Sequence, residues 1–514
     1  MKSLREKFKT DELIGIGLSI LAIILLVIVL FLGLNNAIST DEGFTFHLMG
    51  MSFKDIILGT ARDVHPPLYY VILKCIMSIF SPGNSFNIIL GKLFSVIPLI
   101  LLISFSLIKV RKDFGWLTSG IFTFAIVTMP RMMFYTIEAR MYSLVVLFVT
   151  LSFYYCYMIT KEDIKKNWII FILSGLFAAY THYYGMIAVS FIYLLLLYHI
   201  FSKNKKLIRK WILSVIVSIL AYVPWFYLFI ISSKYFNSSQ WTHPSINTII
   251  SMVAFIFSPI KDIYEFKYIL NKSLTSLFEI FGILLFIGLV SIFIFHTYKK
   301  KKGERGSFTL IEWGSIFVLV TTTLFGILFS LSIKPMFEVR YLTPILGCLW
   351  MSFAVLLSKT YSKKKIFTPI LLVLLLVGFS NAVIVVDFKH YYADSILEFE
   401  NNLNQVDKND TVIFLIYPWA EYFVEYYYHG NNLIIWNNTD PIISDGEDAS
   451  KNGNVLLYDM GIGVGDLKKN NIVKKIGINK TLMADGFKLE NISSLIIPDY
   501  YRYYTNKVYI IKPQ

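Results

Sequence analysis

LIGIGLSILAIILLVIVLFLGL, residues 13–34, runs for 22 positions without a charged side chain. As a helix it reaches about 33 Å, enough to cross a hydrocarbon core of about 30 Å. No small-residue cleavage pattern follows it, so it reads as a retained span rather than a signal peptide. The whole chain repeats that chemistry. Of its 514 residues 56% are hydrophobic, 17% aromatic and 16% charged, and the mean hydropathy is +0.60. Soluble domains are about 45–50% apolar and about 25% charged. The composition therefore specifies an α-helical polytopic membrane protein.

The formal net charge of +14 is a topology signal and not the footprint of a nucleic-acid partner. The N-terminus (Lys2, Arg5, Lys7, Lys9) and five short basic loops hold 24 of the 48 Lys and Arg residues but only seven carboxylates. These loops lie at 109–113, 161–166, 203–210, 299–305 and 359–365. They and the N-terminus sum to +17, which leaves −3 for everything else. Eleven crossings place them all on the cytoplasmic side, near 13–34, 90–109, 115–134, 141–159, 168–181, 185–201, 211–231, 273–297, 308–332, 341–358 and 366–387. The N-terminus is then cytoplasmic and the C-terminus extracytoplasmic, in the cell membrane. Pro66–Phe80 is apolar but short and contains Lys74. Its length favours an interfacial or re-entrant helix within one outer loop, 35–89. A second outer loop, 232–272, carries Trp241-Thr-His-Pro244.

The expected domains are therefore a transmembrane catalytic domain, 1–387, and a soluble outer domain, 388–514. From about 388 no stretch is long enough to span. Thr411–Ile416, Leu433–Trp436, Asn454–Tyr458 and Lys507–Ile511 read as strands and Ala420–Tyr428 as a helix. They predict a small C-terminal α/β domain of about 125 residues, large enough for its own core. Cys75, Cys156 and Cys348 all lie in apolar segments, without disulfide or zinc spacing.

Span parity brings unusual polar groups to the outer face. These are Asp41, Glu42, Asp63 and His65 in the first loop, and Arg131, Glu138, Arg140 and Tyr142 around the third and fourth spans. Thr181, His182 and Tyr183 lie between the fifth and sixth, and Lys334, Glu338, Arg340 and Tyr341 between the ninth and tenth. Ionisable groups near a bilayer are costly and by default functional. Each also has a structural reading. Thr40 or Asp41 suits a helix N-cap, Pro66-Pro67 suits a helix start, and Glu138 with Arg140 suits an ion-pair clamp. His182 suits an interfacial anchor. The functional reading needs a base and an anion clamp: a carboxylate to take a proton from a hydroxyl, and Arg140, Arg340 and Lys334 to hold a phosphate leaving group. An electrophile carried on phosphate and delivered from a membrane suggests a lipid-linked sugar.

Asp41-Glu42 and Asp63-Val-His-Pro-Pro-Leu68 resemble the first-loop motifs of GT-C glycosyltransferases. The nearest branch, glycosyltransferase family 39-like, holds protein O-mannosyltransferases, aminoarabinose transferases of lipid A and the Rgt-like enzymes. Tyr135-Thr-Ile-Glu-Ala-Arg-Met-Tyr142, Thr181-His-Tyr-Tyr184 and Lys334-Pro-Met-Phe-Glu-Val-Arg-Tyr341 resemble further Rgt-like blocks, and the likeness covers residues 10–390. It implies inverting transfer from a polyprenyl-phosphate sugar to a lipid, glycan or protein acceptor. Asp41 would be the catalytic base, Glu42 its assistant at acceptor or metal, and Arg340 the donor-phosphate ligand, with His65 and Glu138 shaping the site. Some relatives hold a divalent metal near the first-loop carboxylates, which the resemblance does not decide for this chain. The rival reading is a transporter or flippase of lipid-linked saccharides. Against it, no internal repeat appears, and Lys92 and Glu279 lie toward span ends rather than mid-span.

Overall fold

The computed structural model describes residues 9–63, 65–80, 84–232, 244–259, 272–301, 310–333, 335, 337–404, 411–415, 421–428, 433–436, 455–459, 487–498 and 503–513. Lys334 and Trp241–His243 lie outside them. The chain divides into two compact units, Met1–Leu34 with Met51–Asp387, and Asn35–Gly50 with Phe388–Gln514.

The larger unit is helical. Among the described residues nine helices are long and apolar enough to cross a membrane, and the chain is a multi-pass membrane protein. Exposed apolar side chains mark them, such as Phe31 at 85% exposure and Leu220 at 65%. The expected spans 90–109 and 115–134 share one helical run, Asn87–Thr128, which breaks at Gly115 with φ +85°. Only glycine adopts that backbone without strain. The run stops at Thr128 and not at 134 because Pro130 drives Met129 into an extended conformation (ψ 154°). The expected fifth span lies in Lys165–Thr181, 17 residues long. The Thr10–Gly33 helix meets the 111–128 helix backbone to backbone. A Cβ at Gly15 would run into the Trp116 carbonyl, and one at Gly120 into the Gly15 backbone. Small residues let membrane helices approach in this way.

Three carboxylates in or beside the basic loops, Asp163, Glu312 and Asp113, make structural contacts. Asp163 accepts from Lys210 Nζ at 2.7 Å and from Trp168 Nε1 at 2.9 Å, and Lys210 holds its carboxyl below the usual range. Buried Glu312 pairs with Lys359, and Asp113 accepts from the Tyr154 hydroxyl. The first-loop segment Pro66–Phe80 yields a helix over Leu68–Phe80, whose first turn closes on the Pro67 carbonyl (Val71 N to Pro67 O, 3.0 Å). Thirteen residues rise about 20 Å, short of a bilayer core. A second short helix, Phe53–Ala61, starts at Ser52, whose Oγ accepts from Asp55 N at 3.2 Å.

In the smaller unit, helix Thr40–Met49 is capped by Ser39, not by Thr40 or Asp41. Ser39 Oγ accepts from Glu42 N at 3.2 Å, and Glu42 Oε2 accepts from Ser39 N at 2.9 Å. This reciprocal capping box satisfies two of the helix's orphan donors. Tyr392 donates to the Ile38 carbonyl at 2.7 Å, and the Ile38 N–H donates to the Tyr427 hydroxyl at 2.9 Å. A Cβ at Gly43 would lie 2.8 Å from Phe423 N, so this helix packs tightly on the helix Glu421–Tyr427. Strands β1 (Thr411–Leu415), β2 (Leu433–Trp436), β3 (Val455–Asp459), β4 (Phe487–Pro498) and β5 (Tyr503–Pro513) form one sheet in the order β2-β1-β3-β5-β4. β1 pairs parallel with β2 and β3, while β5 pairs antiparallel with β3 and β4. The sequence reading omits β4. Asn491, Ser493 and Ser494 interrupt its apolar alternation where the register also slips.

Candidate functional site

The Met129–Met141 segment of the larger unit, irregular backbone on either side of the short helix Met132–Thr136, is nonetheless buried throughout. It carries Arg131, Glu138 and Arg140, each about 3% exposed. Loops normally run over the surface. At membrane depth, non-helical backbone persists where protein buries it or where it lines a cavity. Arg131 adopts φ +66°, a strained conformation for any side chain, with its guanidinium 5.2 Å from the Phe255 ring. Arg140 is fixed from two sides: Nη1 donates to the Tyr70 hydroxyl at 3.1 Å, and its carbonyl accepts from Ser95 Oγ at 3.3 Å. Ser95 is held in turn by Tyr69 at 2.9 Å.

His65 and His182 meet beside this loop, their rings edge to face with centroids 5.2 Å apart. Both are essentially buried. His65 Nδ1 lies 3.0 Å from Asp63 Oδ2, and an ionised carboxylate only accepts, so Nδ1 carries the proton and Nε2 is bare. His182 has the opposite tautomer. Its Nδ1 accepts from the Tyr184 backbone N–H at 3.0 Å, which leaves the proton on Nε2. Burial is the main influence lowering both imidazoles from their ordinary value, His182 well below it. The positive charges of Arg140 and Arg340 act on both rings in the same direction, and only Asp63 opposes them at His65. Both rings are therefore neutral at pH 7. The two Nε2 atoms are buried and have no hydrogen-bond partner among the described residues.

Tyrosines wall this pair. His182 has Tyr341 at 5.3 Å and Tyr142 and Tyr184 each at 6.2 Å between ring centroids, while Tyr184 and Tyr341 stack at 4.9 Å. Arg340 lies on the turn Val339–Ile345, its guanidinium 5.9 Å from the Tyr341 ring.

Of the residues singled out from sequence, the larger unit thus gathers Asp63, His65, Arg140, Tyr142, His182, Arg340 and Tyr341, with Glu138 on the same buried loop as Arg140. Asp41 and Glu42 belong to the smaller unit. There Glu42 is fully buried within the capping box, and Asp41 is half-buried at the second helical position. Sequence reasoning passed over Tyr70 and Ser95, which orient Arg140. Tyr70 sits two residues past the His-Pro-Pro-Leu motif, the one local signal that could have found it. Among the described residues no three His, Cys, Asp or Glu side chains gather as a metal-ligand set.

No family model matches the chain, and no curated protein sequence matches it. Solved structures do. The crystal structure of ArnT from Cupriavidus metallidurans bound to undecaprenyl phosphate aligns over 96% of this chain and 97% of its own, with TM-score 0.56 and 10% identity. The same protein in its apo state aligns over 96% and 98%, with TM-score 0.57 and 11% identity. The likeness therefore extends past the motif-bearing region 10–390 to nearly the whole chain. The chain has the fold of these ArnT structures.

Proposed function

We propose that this protein transfers a sugar from a polyprenyl-phosphate donor to an acceptor hydroxyl, with inversion at the sugar carbon. One observation carries the reading: the positive charges of Arg140 and Arg340 both bear on a buried, neutral, tyrosine-walled pair of imidazoles, with Arg340 5.9 Å from the Tyr341 ring of that wall. One buried and one half-buried cation beside a shielded polar pocket suit a leaving phosphate whose charge grows as its bond to the sugar breaks. The binding of undecaprenyl phosphate by the structurally similar ArnT adds support.

In the proposed step Asp41 takes the proton of the acceptor hydroxyl, and the oxygen attacks the anomeric carbon. The anomeric carbon–oxygen bond breaks with its electron pair leaving on the polyprenyl phosphate, which Arg140 and Arg340 hold. The sugar is a hexose or pentose, and the acceptor a lipid, glycan or protein. Asp41 takes this role from the first-loop motif alone. Glu42, with one carboxylate oxygen engaged by Ser39 N, assists, and Lys334, a cation on the same expected face, joins the phosphate ligands. Cells lacking the protein are expected to accumulate one lipid-linked sugar and to lose that sugar from one envelope acceptor. Unchanged lipid and glycan profiles by mass spectrometry would overturn the proposal.

The loop charges support eleven crossings, a cytoplasmic N-terminus and an extracytoplasmic domain 388–514. In a variant lacking the three native cysteines, a cysteine at exposed Lys54 is expected to label from outside intact cells, and one at Lys206 only after permeabilisation. Labelling in the reverse order sinks this orientation.

A further inference from the structure

The phosphate clamp leaves the two imidazoles unexplained. His182 Nε2–H could donate to a phosphate oxygen, but the bare Nε2 of His65 could not, since both atoms accept. A buried acceptor without a donor is costly, so His65 calls for a ligand group that carries a proton to give. An ammonium group is disfavoured there by Arg140 and Arg340, whose charges already bear on the ring. Full proton transfer to His65 is disfavoured for the same reason and by burial, so this imidazole is an acceptor and not a base. A neutral hydroxyl remains. It gives one hydrogen bond and accepts another, matching one bare nitrogen and one N–H.

We propose that His65 and His182 recognise the donor's sugar, reading hydroxyls of a neutral monosaccharide through one acceptor and one donor nitrogen while Tyr142, Tyr184 and Tyr341 wall the ring. This rests on the lipid-linked sugar reading above and adds a substrate class to it: a hydroxylated, uncharged sugar and not an amino sugar. The surroundings fit such a ligand, because sugar sites combine apolar walls with a few fixed polar groups. Asp63 is a positioning residue, holding the proton on His65 Nδ1 so that Nε2 stays an acceptor.

The test uses the full chain in lipid nanodiscs and measures Kd for two kinds of probe. One is bare undecaprenyl phosphate. The others are its glucosyl, galactosyl, mannosyl, N-acetylglucosaminyl and aminoarabinosyl esters. The wild type is expected to bind at least one neutral glycosyl ester more tightly than both the bare lipid and the aminoarabinosyl ester. His65→Phe and His182→Phe are each expected to weaken that ester about tenfold, the scale of one net hydrogen bond, while keeping the affinity for the bare lipid. His65→Gln, which retains an acceptor oxygen, should recover part of the loss. Three results overturn the inference: no neutral ester exceeds the bare lipid, the aminoarabinosyl ester binds best, or the Phe variants weaken bare and glycosylated lipid equally. Failure of the wild type to bind the bare lipid would instead remove the lipid-phosphate reading, and this inference with it.

Discussion

Replacing Asp41 by Asn is expected to leave a folded, membrane-inserted protein whose sugar transfer falls by about 10²–10⁴, the usual contribution of a general base. That loss is a barrier rise of about 2.7–5.4 kcal/mol. The fold should survive because Ser39 and Glu42, not Asp41, close the box at the start of Thr40–Met49. Removing a first-turn carboxylate costs only about 0.3–1 kcal/mol of dipole stabilisation. Glu42→Gln is the matched comparison. Glutamine can keep the reciprocal cap, so its activity reports chiefly on the carboxylate's chemistry, whereas Glu42→Ala should also lower stability by about 1–3 kcal/mol, because it leaves the buried Ser39 N–H without its acceptor. The readout is kcat in a reconstituted transfer assay beside a thermal melt in detergent. Undiminished transfer by Asp41→Asn would remove Asp41 as the base and leave the fold assignment untouched.

Arg340→Ala should act on the donor. Loss of one preorganised donor of charge-assisted hydrogen bonds typically costs about 10²–10³ in rate, and here the KM for the lipid-phosphate sugar should rise with it. Arg340 suits this test better than Arg140 because it is only half-buried, while Arg140 also ties Tyr70 to its loop. Arg340→Lys should restore only part, since an ammonium cannot grip two phosphate oxygens with a planar fork. A pH signature should accompany the loss. The Arg340 charge lowers both His65 and His182, so its removal moves both upward toward the ordinary imidazole value. The acidic limb of the rate profile then shifts to higher pH. The shift should be partial, because burial outweighs the arginine at both rings. A variant with unchanged donor KM and an unshifted acidic limb would show that Arg340 does not serve this site.

The hydrophobic spans, the positive loops and the length of the 66–80 helix were legible from sequence because each depends on a short window of residues. Transfer from water to hydrocarbon is summed along consecutive side chains, and helix length follows from their number. The same locality made β1, β2 and β3 readable to within about a residue. It failed at β4, where polar residues break the period of two. It overran the Asn87–Thr128 run, where Pro130 stops the helix before the apolar sequence ends.

The candidate site was legible only as a set of residue types on one expected face. Sequence named His65, Arg140, His182 and Arg340 but gave none of them a neighbour or a tautomer. Those depend on packing between helices far apart in the chain. The edge-to-face meeting of His65 and His182, the Tyr70 and Ser95 supports of Arg140, and the opposite protonation of the two imidazoles exist only once those helices close together. Burial then adds what no local pattern encodes. It desolvates the rings, keeps them neutral and magnifies the field of the two arginines. The sequence by itself determined that this is a multi-pass membrane protein and which of its ionisable residues lie between the apolar spans. Tertiary structure decided which of those groups touch, because side-chain contact, unlike hydropathy, is a property of the folded chain and not of any window along it.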